Sequence, residues 1–134
     1  DSSAGMSTLA CNLDDEAQLH DANCVKLVCD SSHKAMYFSR AAIPFARDGF
    51  DSALFNSADN PWLRHIGMYA YRVATLKQLT RLPIIPLEAL EKLEQLRALW
   101  HGIAIQVACI DEAPGHGVDT LADLNRVRAI IANA

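Results

Sequence analysis

A single carboxylate stands at the point where a glycine-rich turn leads into a predicted helix. Residues 114–120 read PGHGVDT, and Thr120 with Asp123 resembles a capping box that begins a helix near residue 121. Asp119 then lies outside the helix, and carboxylate oxygens are the ligands that Mg²⁺ prefers. The same pattern is typical of a plain connector whose acidic residue complements the helix dipole. Asp119 is therefore a candidate metal ligand, with a structural role as the alternative.

Cysteine and histidine residues form a second group of potential metal ligands. The cysteines contain no Cys-x-x-Cys pair and stand among apolar residues, which is typical of reduced, buried thiols in a cytosolic protein. They are Cys11, Cys24, Cys29 and Cys109. A zinc site made of Cys24, Cys29, His20 and His33 has the right residue types. Because Cys24 and Cys29 would point to opposite faces of one predicted strand, we expect free thiols instead.

Composition and charge indicate one soluble globular domain. The chain has 134 residues, 51% of them apolar, and a net charge of -4 with its 12 Lys and Arg residues scattered. No basic stripe is present that would bind nucleic acid or an anionic membrane. No apolar run is long enough to span a bilayer, and the first residues do not resemble a signal peptide. We therefore expect a cytoplasmic protein with neither nucleic acid nor a membrane as partner.

Alternating strand-like and helix-like segments predict an α/β fold. Strands are expected over residues 6–13, 24–29, 35–39, 65–72 and 103–110, the second and third forming a hairpin. Helices are expected over residues 17–20, 74–80 and from 121 onward. Residues 45–61 are rich in turn-forming residues and are predicted to be a long surface loop. Because ligands gather at the carboxyl ends of strands in open α/β sheets, this order supports a functional role for Asp119.

A further helix is predicted over residues 86–100. Pro86 suits its first turn and Gly102 follows its end. Leucine recurs at every third position, and this stripe is expected to be buried. Its members are Leu87, Leu90, Leu93, Leu96 and Leu99. Surface ion pairs are expected between Glu88 and Lys92 and between Glu94 and Arg97.

Four sequence blocks, in this order, resemble one enzyme family. They are AMYFSRAAIP at 35–44, LRHIGMYAYR at 63–72, LEALEKLEQLR at 87–97 and PGHGVDT at 114–120. The chain is similar in these blocks to 3-deoxy-manno-octulosonate cytidylyltransferase, also called CMP-Kdo synthetase. The resemblance runs from about Gly5 to Ile130 and covers the second half of the family's enzyme. It implies the C-terminal portion of a Rossmann-like nucleotidyltransferase fold, with a mixed sheet and a strand excursion used for dimerisation.

The resemblance also implies a reaction and the residues that serve it. In this family the anomeric hydroxyl of Kdo attacks the α-phosphorus of CTP and pyrophosphate leaves, a step in lipopolysaccharide assembly. Asp119 matches a catalytic residue that holds Mg²⁺, which neutralises charge on the phosphate oxygens. Arg40 matches the residue that binds the sugar carboxylate. The sugar hydroxyls are expected to be bound by His65, Tyr69, Glu94 and Gln95.

Each of these residues also has a purely structural interpretation. Arg40 is equally typical of a solvated charge at a strand end, and His65 and Tyr69 of core side chains. The family's glycine-rich, basic nucleotide loop and its second acidic motif are not found in this sequence. We therefore expect residues 1–134 to be a single incomplete domain that is inactive alone. The alternatives are a non-catalytic dimerisation or interaction module and a related sialic-acid cytidylyltransferase.

Overall fold

The computed structural model of the chain describes residues 4–111, 118 and 121–132. Its strands are β1 (Met6–Asn12), β2 (Lys26–Cys29), β3 (Ala35–Ser39), β4 (Leu63–Tyr71) and β5 (Ile105–Cys109). Its helices are α1 (Glu16–His20), α2 (Ser52–Phe55), α3 (Val73–Leu79), α4 (Pro86–Glu91), α5 (Gln95–Trp100) and α6 (Leu121–Ala132). The predicted strands are confirmed, although β2 begins at Lys26 rather than at residue 24. Within the described ranges, no helix is long and apolar enough to cross a membrane.

The five strands form one mixed sheet in the order β3-β2-β4-β1-β5. Strands β1 and β5 are parallel, and the other neighbouring pairs are antiparallel. The predicted hairpin of β2 and β3 is confirmed. Because β1 and β5 run in the same direction, their carboxyl ends meet at the same edge of the sheet, from which the chain continues toward residue 119. The mixed α/β sheet expected from the resemblance is confirmed.

The turn of the β2–β3 hairpin covers part of the free edge of β5. Lys34 forms an antiparallel bridge with Gln106, and the Val107 amide donates to the His33 carbonyl over 2.8 Å. The Gln106 amide nitrogen donates to the Ser32 and His33 carbonyls, each over 3.0 Å. Such contacts satisfy backbone groups that an edge strand would otherwise leave unpaired. The sheet is therefore curled, with its last strand meeting the hairpin turn.

The main core lies between one face of the sheet and helices α4 and α5. Leu27, Phe38 and Ile105 from the sheet are fully buried, and Leu96 and Ala98 of α5 pack in the same cluster. Burying a side chain such as Phe38 stabilises the fold by about 1.5–3 kcal/mol. The core thus holds α5 firmly against the strands.

A second cluster packs under residues 45–61. Phe55 of α2 and Trp62 are buried there together with Leu13 and Leu19. The indole nitrogen of Trp62 donates to the Pro44 carbonyl over 3.0 Å. The segment is largely irregular, as its turn residues predict, and it also contributes buried aromatic side chains.

The single helix predicted over residues 86–100 is wrong. The chain leaves helical geometry at Lys92, whose φ of 56° lies in the left-handed region, so that α4 and α5 are separate helices. Leu90 is 81% exposed, and the leucine stripe is therefore interrupted. The predicted pairing of Arg97 with Glu94 is also wrong, because Arg97 binds Glu88 across the break. Contacts with β3 and across the break outweigh the local helix propensity of this segment.

Candidate functional site

Strand β4 carries a bulge where it pairs with β1. Thr8 pairs with Tyr69 and the next pair joins residues 9 and 66, so residues 67 and 68 have no partner on β1. Residues four apart in a regular strand are separated by about 13 Å, at about 3.3 Å per residue. The bulge shortens this separation, and the ring centroids of His65 and Tyr69 lie 5.3 Å apart. It therefore brings two of the predicted sugar-binding residues into contact.

His65 is a buried, uncharged imidazole. Its Nε2 lies 2.9 Å from the hydroxyl of Thr8, and the edge of its ring meets Phe38 at a centroid distance of 5.0 Å. Burial lowers the pKa of His65 to about 4, because the charged form is poorly solvated there. At neutral pH this side chain therefore acts as a hydrogen-bonding group rather than as a cation.

The hydroxyl of Tyr69 lacks a hydrogen-bond partner in the part of the chain that the structure describes. This oxygen atom is buried. Burial, followed by electrostatic interaction with Tyr71 and with Glu94, raises the pKa of the phenol well above its ordinary value. The phenol is therefore protonated at neutral pH and can donate to a ligand. A buried, unpartnered polar atom is destabilising unless a ligand or water satisfies it.

Glu94 and Gln95 lie at the start of α5. Gln95 is only 4% exposed, and its side-chain Nε2 has no hydrogen-bond partner in the described part of the chain. The carboxylate of Glu94 raises the pKa of both Tyr69 and Tyr71, so its charge acts on the same side of the sheet. The break at Lys92 ends α4 and allows a new helix to start at these two residues. The sequence analysis did not predict the break at Lys92, on which the positions of Glu94 and Gln95 depend.

Arg40 follows the end of β3 and is held by main-chain carbonyls. Its Nε donates to the Glu91 carbonyl over 2.7 Å, and one terminal nitrogen, Nη1, donates to the Ala22 carbonyl over 2.9 Å. The Glu91 carboxylate accepts the Arg40 amide over 2.9 Å and the Ser39 hydroxyl over 2.7 Å. No carboxylate within the described ranges forms an ion pair with Arg40. Its charge is therefore available to an anionic ligand.

Lys26 supports Arg40 from inside the fold. Its side chain is fully buried, and its ammonium donates to the carbonyls of Asp21, Cys24 and Arg40 over 2.7, 2.5 and 2.7 Å. Desolvation by burial lowers the pKa of this ammonium, while the three carbonyls use all of its donors. Lys26 thus ties the end of β3 to the loop before β2.

The structure brings most of the predicted sugar-binding residues together. His65 and Tyr69 are in ring contact, and Glu94, at the start of α5, is near enough for its charge to act on Tyr69. Gln95 is the buried neighbour of Glu94 in the chain. Arg40 is connected to this group through Glu91, three residues before Glu94. Their roles toward a sugar stay predictions, because none of these contacts includes a ligand.

Asp119, the predicted magnesium ligand and catalytic residue, lies outside the described residues, as does the turn at 112–117. Among the residues that are described, no three His, Cys, Asp or Glu side chains converge in a way that would hold a metal ion. The described residues therefore do not by themselves form a magnesium site. The helix predicted from about residue 121 is present as α6, whereas the predicted cap at Thr120 lies outside the described residues.

A cavity of about 560 Å³ lies at the carboxyl ends of β1 and β5. Cys29 and Cys109 both line it, together with Asn12 and His33. All four cysteines are free, and burial raises their pKa, that of Cys29 to about 11. They are therefore poor nucleophiles at neutral pH. Cys109 is exposed, which corrects the expectation that every thiol is buried.

Three supporting residues were missed by the sequence analysis: Thr8, Lys26 and Glu91. The sequence contains a direct signal for Lys26 and an indirect one for Thr8, through the bulge of β4 that Thr8 faces. Gly67 within a strand indicates a bulge, and Lys26 is a lone cation within an apolar strand. Glu91 looks like any solvent-facing helix residue, and only its partners on β3 reveal its role.

Comparison with solved structures supports this description of the fold. The chain is similar to a structure titled CMP:2-keto-3-deoxy-manno-octonic acid synthetase complexed with CTP, with a TM-score of 0.84 and 36% sequence identity. The match covers 99% of this chain and 51% of that one. Strand order and helix placement are therefore shared with about half of a known enzyme.

Sequence comparisons point to the same enzymes. The 3-deoxy-manno-octulosonate cytidylyltransferase of Aliivibrio salmonicida is 50% identical over 132 residues, covering 98% of this chain and 53% of the relative. That of Halorhodospira halophila is 50% identical over 128 residues, covering 95% of this chain and 50% of the relative. The chain thus spans about half the length of the curated relatives it matches. Residues 1–105 match the family model described as Cytidylyltransferase, and the chain belongs to that family.

Proposed function

We propose that this chain is the sugar-acid-binding part of a cytidylyltransferase that makes CMP-Kdo from CTP and Kdo. The observation that carries the proposal concerns buried polar atoms that have no hydrogen-bond partner among the described residues: two of the three such atoms are the Tyr69 hydroxyl and the Gln95 Nε2, the third being Oε1 of Gln106. The first two belong to residues that match the family's sugar pocket. A polyhydroxylated ligand would supply the missing hydrogen bonds.

Arg40 is proposed to bind the carboxylate of Kdo. Its Nε and Nη1 are held by main-chain carbonyls, and its Nη2 has no partner among the described residues. Anchoring the guanidinium in this way reduces the conformational entropy lost on binding. Charge-assisted hydrogen bonds from Arg to a carboxylate are about twice as strong as neutral ones. Arg40 would therefore fix the acid end of the sugar.

The remaining residues are proposed to bind the hydroxyls of the sugar. Tyr69 and the Gln95 amide nitrogen donate, and the Glu94 carboxylate accepts. His65 is uncharged and offers one further hydrogen-bonding position. Together these groups would orient the anomeric hydroxyl toward the α-phosphorus of CTP. The anomeric oxygen would then form a bond to the α-phosphorus and release its proton to solvent. The bond from the α-phosphorus to the oxygen shared with the β-phosphate would break, and pyrophosphate would leave with that oxygen.

Several expectations about the whole protein are part of the same proposal. Asp119 is proposed as one ligand of Mg²⁺. A single carboxylate cannot fill the coordination shell of this ion, so other ligands are needed. Residues 1–134 are proposed to be part of a single domain in a cytoplasmic enzyme of lipopolysaccharide synthesis, with CTP bound chiefly by other residues. The segment 45–61 is proposed to contact a second copy of the chain, because Phe45 is 82% exposed there. Analytical ultracentrifugation of the chain tests this self-association.

The proposal is tested by titrating the chain with Kdo in a calorimeter. Tyr69→Phe removes the unpartnered hydroxyl and is expected to weaken binding about 5–10-fold, the effect of about 1–1.4 kcal/mol for one hydrogen bond. Tyr71→Phe is the matched control, because Tyr71 lies on the same strand with its ring 5.8 Å away and is more exposed. It is expected to leave the affinity unchanged.

Three results would contradict the proposal. Equal effects of the two tyrosine variants would remove the role of the buried hydroxyl. Tighter binding of N-acetylneuraminate than of Kdo would favour the sialic-acid relative. Self-association without binding of either sugar would favour a non-catalytic interaction module.

A further inference from the structure

Thr8 lies under the bulge of β4 and is only 2% exposed. Its hydroxyl oxygen is 2.9 Å from the Met68 carbonyl, 3.2 Å from the Ile66 carbonyl and 2.9 Å from Nε2 of His65. A hydroxyl has one hydrogen to donate and two lone pairs to accept with. Its three neighbours therefore cannot all be acceptors.

The direction of each hydrogen bond follows from the chemistry of the neighbours. A carbonyl oxygen only accepts, and Met68 is one of the two bulge residues that have no partner on β1. The hydrogen of Thr8 is therefore used on the carbonyls of the bulge. The Thr8 oxygen then accepts, and Nε2 of His65 must carry the hydrogen that it receives. An uncharged imidazole has only one N–H, so its Nδ1 is an acceptor.

We propose that Thr8 is a positioning residue that holds His65 as the Nε2–H tautomer and thereby makes Nδ1 an acceptor for a ligand hydroxyl. Nδ1 has no hydrogen-bond partner in the described part of the chain, so it is open to such a bond. The low pKa of His65 agrees with this assignment, since a charged ring would have no acceptor. The site would then favour a ligand that has a hydroxyl at this position over its deoxy analogue.

The identity of that ligand as a sugar acid rests on the proposed function, whereas the tautomer does not. Long-range ¹⁵N–¹H correlation spectra of the 134-residue chain report directly which imidazole nitrogen carries hydrogen. His65→Gln identifies the signals of this residue among the five histidines. We expect Nε2 of His65 to show the ¹⁵N chemical shift of a nitrogen that carries hydrogen, and Nδ1 to show that of a nitrogen without hydrogen. A protonated-type Nδ1 in the unsubstituted chain overturns the inference, whatever the variants do.

Two variants separate positioning from simple packing. Thr8→Val keeps the shape but removes the hydroxyl, and the His65 signals are expected to move toward a mixture of tautomers. Thr8→Ser retains the hydroxyl and is expected to preserve the Nε2–H signature even if stability falls. Unchanged tautomer signals in Thr8→Val, or their loss in folded Thr8→Ser, would contradict the role of Thr8. Should Thr8→Val fail to fold, the spectrum of the unsubstituted chain still tests the tautomer of His65, and that of Thr8→Ser still tests the role of the hydroxyl.

Adding Kdo to the labelled chain tests the second half of the inference. The Nδ1 resonance is expected to shift toward the protonated type as it accepts a hydrogen bond, while Nε2 changes little. A shift at Nε2 alone would contradict the assignment of Nδ1 as the acceptor. If Kdo perturbs no residue of the site while the tautomer is as expected, the proposed ligand is wrong and the role of Thr8 toward His65 stands.

Discussion

Helix α4 binds one arginine near each of its ends, and the two guanidinium groups have different partners. In its first turn, the Glu88 carboxylate binds the guanidinium of Arg97, with 2.8 Å between Oε2 and Nε. At its last residue, the Glu91 carboxylate binds the Ser39 hydroxyl and the amide of Arg40, while the guanidinium meets only carbonyls. The charge of Arg97 is thus neutralised by contact, and that of Arg40 is not. We expect the first arrangement to stabilise the fold, whereas the second leaves the guanidinium of Arg40 without a carboxylate partner among the described residues.

The largest expected effect comes from breaking the neutralised pair. Arg97→Met leaves the Glu88 carboxylate, which is 6% exposed, without its partner. We expect the free energy of unfolding to fall by about 3 kcal/mol, because an uncompensated buried charge is strongly destabilising. Urea unfolding monitored by circular dichroism measures this change. Lys77→Met on the exposed surface of α3 is the control and should stay within about 0.5 kcal/mol.

The pH dependence checks the cause of that effect. Arg97 holds the pKa of Glu88 below its ordinary value of 4.5. A lowered pKa means that the ionised carboxylate stabilises the folded state above pH 4.5, and that this contribution is lost as the pH falls through the lowered pKa. Below pH 4.5, the free energy of unfolding should therefore fall less steeply with decreasing pH in Arg97→Met than in the unsubstituted chain. An unchanged slope would mean that the pair acts through packing alone.

Replacing the other arginine should affect binding more than folding. Arg40→Gln is expected to weaken Kdo binding about 100-fold, the effect of losing about 3 kcal/mol of charge-assisted hydrogen bonds. Arg47→Gln is a matched control, because Arg47 is exposed in the loop after β3. Calorimetric titration with Kdo measures both. If the loss of stability in Arg40→Gln equals that in Arg97→Met while binding persists, the contrast between the two arginines is wrong.

The smallest expected effect is a change in the free energy of unfolding whose sign tests the break between α4 and α5. Lys92 has a φ of 56°, which glycine adopts without strain. Lys92→Gly should therefore raise the free energy of unfolding by about 0.5–1 kcal/mol. In a continuous helix, the same substitution would lower it by about 1 kcal/mol. Lys77→Gly within α3 supplies that opposite result as a control, measured by the same urea unfolding.

Much of the framework was predictable because its signals are local. The apolar and aromatic run at residues 35–39 predicts β3 at its observed bounds, and the polar turn after Cys29 predicts the hairpin. Pro86 begins α4 as expected, and Gly102 with a φ of 73° follows α5. Matching sequence blocks predict which residues approach one another, and the contact of His65 with Tyr69 agrees with them.

The failures have a common physical origin. A leucine repeat predicts one helix over residues 86–100, but it carries no information about what the intervening glutamates meet. Glu91 binds the end of β3, some 51 residues earlier, and Glu88 reaches Arg97 across the break. These contacts form only when distant elements pack together, and they outweigh propensities of tenths of a kcal/mol per residue, about 0–0.7 kcal/mol for ordinary residues.

The sequence by itself determined the strands, the hairpin and the family, and it supplied the residues that we propose to bind a sugar acid. Only the tertiary structure decided how those side chains are arranged. The bulge at residues 67 and 68, the break at Lys92 and the bond between Thr8 and His65 depend on partners that are distant in the sequence, such as Thr8 and Met68, which are 60 residues apart. Periodicity along a chain specifies which face is buried, whereas hydrogen-bond partners and charge state are set by what each side chain meets after packing.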